Sequence, residues 1–111
     1  WRLGQLSDQW VASLQDCASP FHRRLALTMT IGLNLKSRGG KGDVQRTLSV
    51  AQRASDDSHD MVIKALSWAL RQLVPWDAVA VSDFLEKNQT HLSKKVLREV
   101  HTKLNTGKKG G

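Results

Sequence analysis

Apolar residues return every three to four positions along most of the chain, which is the helical period, and no stretch alternates with the two-residue period of a strand between turn signals. The pattern predicts six helices and no sheet. The first covers about residues 8–17 behind a Ser7 cap, with Trp10, Val11 and Leu14 on one face. Ser19-Pro20 starts the second: serine caps the orphan backbone N–H groups, and proline fits the first helical position because its missing N–H would have had no partner there. This helix is expected over about 20–37. Phe21, Leu25, Met29 and Leu33 form one apolar row, with Leu27, Ile31 and Leu35 beside it. A stripe that wide predicts packing against two neighbours. Gly32 inside it costs about 1 kcal/mol relative to alanine and points to a close helix–helix approach. Gly39, Gly40 and Gly42 end it.

Asp43 caps a third helix over about 44–54, with Val44, Leu48 and Ala51 inward. Ser55-Asp56-Asp57-Ser58 reads as a turn and cap cluster. The fourth helix, about 59–74, carries Met61, Val62, Ala65, Leu66, Trp68, Ala69 and Leu73. Apolar positions take up most of its circumference, so it is the expected central helix. Pro75 breaks it, Trp76-Asp77 opens a fifth through about residue 87, and Ser93 caps a sixth with Val96, Leu97, Val100 and Leu104 in a narrow stripe. Connections of about 2–7 residues force antiparallel neighbours, and each helix pair takes roughly 35–40 residues, near the length of HEAT-type repeats. The expected fold is all-α, with antiparallel pairs stacked as a HEAT-like superhelix over 1–104 and a flexible basic tail over 105–111. A compact irregular bundle is the competing arrangement.

Composition narrows the function classes. At 111 residues the chain has room for one domain, and 40% apolar residues are enough to exclude wholesale disorder. No apolar run approaches the roughly 20 residues of a membrane span, so no membrane partner is expected. A single Cys17 cannot form an internal disulfide, which suits a reducing intracellular setting, cytoplasm or nucleus. Asn88-Gln89-Thr90 matches a glycosylation acceptor by chance in that setting. The net charge of +7 is unevenly spread: −1 over 1–19, +6 over 20–53, −3 over 54–92 and +5 over 93–111. Two positive blocks flanking an acidic one favour a polyanion such as nucleic acid, against the alternative of a generally basic, solvated surface.

Most constellations that carry chemistry fail on spacing. Gly39-Gly40-Lys41-Gly42-Asp43 lacks the Gly-x4-Gly-Lys-Ser/Thr order of a nucleotide loop. It reads as a helix stop, or as a basic loop whose Arg38 and Lys41 touch a phosphate. Asp56, Asp57, His59 and Asp60 suit the positive end of a helix dipole. His59 and Asp60 are adjacent and face apart, and His22, His91 and His101 are scattered, so neither a metal nor any other cofactor is expected. Cys17 and His22 have no third group to make a hydrolase. Two features hold up better. Arg23 and Arg24 point about 100° apart at the start of the second helix, so they form a solvated pair or one of them reaches a groove. Trp68 is either core or, with Lys64 and Arg71 one turn to each side, an aromatic platform flanked by cations.

Phe21-His22-Arg23-Arg24-Leu25-Ala26-Leu27 and Lys64-Ala65-Leu66-Ser67-Trp68-Ala69-Leu70-Arg71 resemble the two hallmark helices of the DNA alkylation repair enzymes, the HEAT-like alkylpurine DNA glycosylases. The likeness extends over most of 8–104. It implies a basic face holding duplex DNA that contains alkylated purines, and base excision by cleavage of the N-glycosidic bond. By the family pattern Trp68 stacks against the sugar–phosphate near the lesion and Arg23 or Arg24 contacts the backbone; the expected site therefore has Trp68, Arg23 and Arg24 bordering the lesion, with Arg38, Lys41, Lys64 and Arg71 as candidate DNA-backbone contacts. A cationic alkylated purine is already a good leaving group, so the resemblance leaves a carboxylate mainly to stabilise the oxocarbenium-like sugar or to guide water.

One departure matters. The family's catalytic aspartate sits in a Trp-Asp-x-x-Asp segment upstream of the tandem-arginine helix, and no such segment occurs here: neither Asp8 nor Asp16 fits it. No catalytic residue is therefore assigned. The expectation is a C-terminal portion of a longer glycosylase, inactive alone, with self-association through a truncated face open to it. The alternative is a non-catalytic HEAT-like adaptor binding protein or structured nucleic acid.

Overall fold

Local signals and burial agree on where most of the helices run. The computed structural model describes residues 8–34 and 44–106, and within them the chain forms six α-helices and no strand. These are α1 (Asp8–Gln15), α2 (Pro20–Asn34), α3 (Val44–Ala54), α4 (Asp60–Leu73), α5 (Ala78–Lys87) and α6 (Lys94–Thr106). Helix α1 ends two residues before the expected position. Asn105 and Thr106, expected in the tail, continue α6. The expected end of α2 at residue 37 lies outside the described residues.

The caps show why the elements start where they do. Ser93 Oγ accepts the Val96 N–H at 3.2 Å, and Asp77 Oδ1 accepts the Ala80 N–H at 2.9 Å, so Asp77 stands before α5 instead of inside it. Helix α4 begins one residue later than expected because His59 is its cap, with Nδ1 accepting the Met61 N–H at 3.2 Å.

Helices α2, α4 and α6 lie side by side with α4 in the middle, and α2–α4 is the most extensive interface. Helices α1 and α3 pack on α2 and on each other, α3 also on α4, and α5 on α4 and α6. A reciprocal amide pair ties α3 to the end of α5: Gln52 Nε2 donates to Asn88 Oδ1 at 2.8 Å, and Asn88 Nδ2 donates back at 3.1 Å. Asn88 is buried and also donates to the Phe84 carbonyl, so the Asn88-Gln89-Thr90 acceptor pattern is closed to modification in the folded chain.

The core centres on α4, as expected: Val62, Ala65, Leu66, Ala69, Leu70 and Leu73 are buried, together with Leu27, Ile31, Val81, Leu85, Val96 and Val100. Each fully buried leucine contributes about 1.5–3 kcal/mol relative to exposure. Three apolar faces differ from expectation. On α2 the inward face is Ala26, Leu27, Thr30 and Ile31, while in the other row Phe21 and Leu25 are exposed and Met29 is only partly covered. On α3 the buried face is Thr47, Val50, Ala51 and Ala54, with Val44 and Leu48 only partly covered. On α1 Val11 and Leu14 are buried and Trp10 is exposed. Small residues at Ala26, Thr30, Ala65 and Ala69 leave room for the close α2–α4 approach, and the Thr30 hydroxyl satisfies itself on the Leu27 carbonyl at 2.7 Å.

Candidate functional site

The two sides of the fold differ in charge. Helices α2, α4 and α6 carry eight lysine and arginine residues against two carboxylates, whereas α1, α3 and α5 carry three against three. The positive field therefore sits over the α2–α4–α6 row.

The adjacent arginines of α2 separate within that row. Arg23 turns toward the neighbouring connections: its Nε meets Asp57 Oδ2 at 2.7 Å, and its Nη1 donates to the carbonyls of Cys17 at 3.1 Å and Ala18 at 2.7 Å. One guanidinium thus clamps the α1–α2 turn to the α3–α4 turn, with fork-like donors that a lysine could not match. Asp57 is doubly used, since its Oδ1 accepts the His59 N–H at 3.0 Å. Arg24, rotated about 100° away, is left exposed on the other side of α2.

That side opens on the start of α4. Asp60, Lys64 and Trp68 follow one another at four-residue intervals, a row that rises about 12 Å along one helix face. Together with Arg24, His59, Met61 and Ala65 they line an open hollow of about 410 Å³. Trp68 is 42% exposed, so its indole is a wall of this hollow and not part of the core. Among the described residues, no hydrogen bond or ion pair engages the side chains of Arg24, Asp60, Lys64 or Trp68.

The hollow gathers three of the expected site residues and, among the described residues, leaves two out. Arg24, Lys64 and Trp68 meet there. Arg23 is held by Asp57 and faces away. Arg71 turns along its own helix toward α6: its Nε donates to the Ser67 carbonyl at 3.3 Å and to Ser67 Oγ at 3.2 Å. The Ser67 hydroxyl in turn donates to Glu99 Oε1 at 2.7 Å, and Lys95 stands 3.6 Å from the other Glu99 oxygen. Arg38 and Lys41 lie outside the described residues. Asp60 and His59 line the hollow although sequence reasoning treated them only as helix-start residues; the Asp60–Lys64–Trp68 spacing was the signal that could have placed Asp60.

A depression of the same size, about 410 Å³, lies between α1 and α3 and is lined by Gln9, Gln15, Arg46, Arg53 and their neighbours. It contains no aromatic side chain, and Arg53 already faces Asp16 at 3.9 Å, so the α2–α4 hollow is the better match to a base or sugar flanked by phosphates. Among the described residues, no three His, Cys, Asp or Glu side chains converge as metal ligands, and no helix is long and apolar enough to cross a membrane.

The family model described as DNA alkylation repair enzyme matches residues 4–104 of the chain. No curated protein and no solved structure matches the chain.

Proposed function

The chain belongs to the DNA alkylation repair enzyme family, and from that membership we propose that it serves the excision of alkylated purines from duplex DNA by cleavage of the N-glycosidic bond. The observation that supports this reading is the half-exposed Trp68 indole standing among unengaged cations in the α2–α4 hollow. The indole stacks against the sugar or base at the lesion, while Arg24 and Lys64 hold the flanking phosphates. Arg23 supports the site indirectly, by fixing the turn from which α4 starts. Helix pairs α1–α2, α3–α4 and α5–α6 form a HEAT-like stack, whose α2–α4–α6 side meets the DNA.

The chemistry asks little of the protein as a proton donor. The C1′–N bond breaks with its electron pair moving to the cationic ring, which leaves as a neutral base. Water adds to C1′, and its proton goes to a carboxylate or to solvent. The Trp-Asp-x-x-Asp pattern is not among these 111 residues, so this chain alone is expected to bind duplex DNA without releasing base. The two phosphate contacts, Arg24 and Lys64, set a slope of about −2 for log affinity against log salt.

The test is release of N7-methylguanine from duplex DNA by the protein as the cell makes it, with the 111-residue chain in parallel. Trp68→Ala is expected to reduce release far more than affinity. Equal losses mean that the indole is only packing, and no release from the wild-type protein overturns the glycosylase reading.

A further inference from the structure

Three carboxylates cluster before and at the start of α4, and the structure gives them different surroundings. Asp57 is occupied by Arg23 and by the His59 N–H. Asp56 is exposed in the turn and does not line the hollow. Asp60 lines the hollow, is exposed, and has no partner among the described residues. Its place in the first turn of α4 suits the helix dipole, as any acidic residue there would. The dipole does not account for its neighbours. Lys64 and Trp68 follow Asp60 at four-residue intervals on the same face of α4, and all three line the hollow. The hollow thus joins two cations to one free carboxylate beside an aromatic face.

A phosphodiester strand bearing an N-alkylated purine presents the complementary set: anionic phosphates on either side of one cationic ring. We infer that Asp60, together with the face of Trp68, reads the positive charge of the alkylated base, making Asp60 a specificity-determining residue of the hollow. Arg24 and Lys64 take the phosphates, and Asp60 opposes the only positive group the DNA offers. The inference rests on the lesion-binding reading of the hollow, but it concerns recognition and is read by binding alone.

The experiment uses the 111-residue chain and three duplexes. One carries N7-methylguanine on a 2′-fluorinated sugar, which keeps the cationic base in place. The second carries neutral 7-methyl-7-deazaguanine of the same shape, and the third is unmodified. The wild-type chain is expected to prefer the cationic duplex over the neutral isostere by about five-fold, the scale of an exposed ion pair with a cation–π contact. Asp60→Asn removes that preference while leaving affinity for unmodified DNA equal or higher, Asp60→Glu restores it, and Asp56→Asn, which removes the same charge outside the hollow, retains it. Helix content and the thermal midpoint, measured on each variant, separate a lost contact from a lost fold. A wild-type chain without the preference, or a preference that survives in folded Asp60→Asn, overturns the inference. If the preference is present but the protein as the cell makes it releases no alkylated base, the glycosylase reading fails and Asp60 stands as a recognition residue.

Discussion

Two ionisable clusters lie back to back around the start of α4, built from the same residue types and put to opposite use. In one, Arg23 and Asp57 satisfy each other and three backbone groups, with side chains 23% and 13% exposed. In the other, Arg24, Asp60 and Lys64 surround an open indole, and no partner among the described residues engages them. The closed cluster holds two turns together, and the open one keeps its donors, acceptor and ring face for a ligand. Residue type does not separate scaffold from site here. What separates them is whether hydrogen-bonding capacity is already used within the chain.

The sharpest way to break this contrast is to remove the clamp. Arg23→Ala strands a largely covered carboxylate and two carbonyls, and is expected to cost about 2–3 kcal/mol in urea unfolding, with little change in the affinity of the folded fraction for DNA. Trp68→Ala should show the reverse: about 2 kcal/mol lost in base release, the scale of one stacking platform, and under about 1 kcal/mol in stability because the ring is already half exposed. His59→Ala tests the joint between the clusters. Loss of the α4 cap is expected to cost about 1 kcal/mol, and His59→Asn, which can still accept the Met61 N–H, should recover much of it by thermal unfolding. The smallest effect is expected for Arg24→Gln, with stability unchanged and the salt slope of duplex binding shallower by about 1. A large stability loss at Arg24 would place it with Arg23 and dissolve the distinction.

Much of the scaffold was legible because its signals are local. Ser19-Pro20, Pro75-Trp76-Asp77 and Ser93 mark helix boundaries through groups a few positions away, and the apolar periodicity of α4 already identified it as the centre. The site was legible only in part. The spacing of Lys64 and Trp68 on one face was readable, but the same residues admitted a core tryptophan, and 42% exposure decided between them. Arg23 and Arg24 looked equivalent because the partner that distinguishes them, Asp57, is 34 residues along the chain from Arg23. The Phe21–Leu25 row looked like core because periodicity shows that a face is apolar without showing which neighbour covers it.

The sequence by itself determined that this chain is helical, where most helices begin, which helix lies at the centre, and that its charge favours a polyanion. Those properties follow from backbone hydrogen bonding and side-chain period over about four residues, and they survive any choice of tertiary neighbours. Only the tertiary structure decided that Arg23 is scaffold, that Arg24, Asp60, Lys64 and Trp68 share a hollow, and that Arg71 answers to Ser67 across from Glu99. Each of those outcomes depends on which atoms a side chain meets from elsewhere in the chain, and a desolvated or partnered charge behaves differently from a free one of the same type.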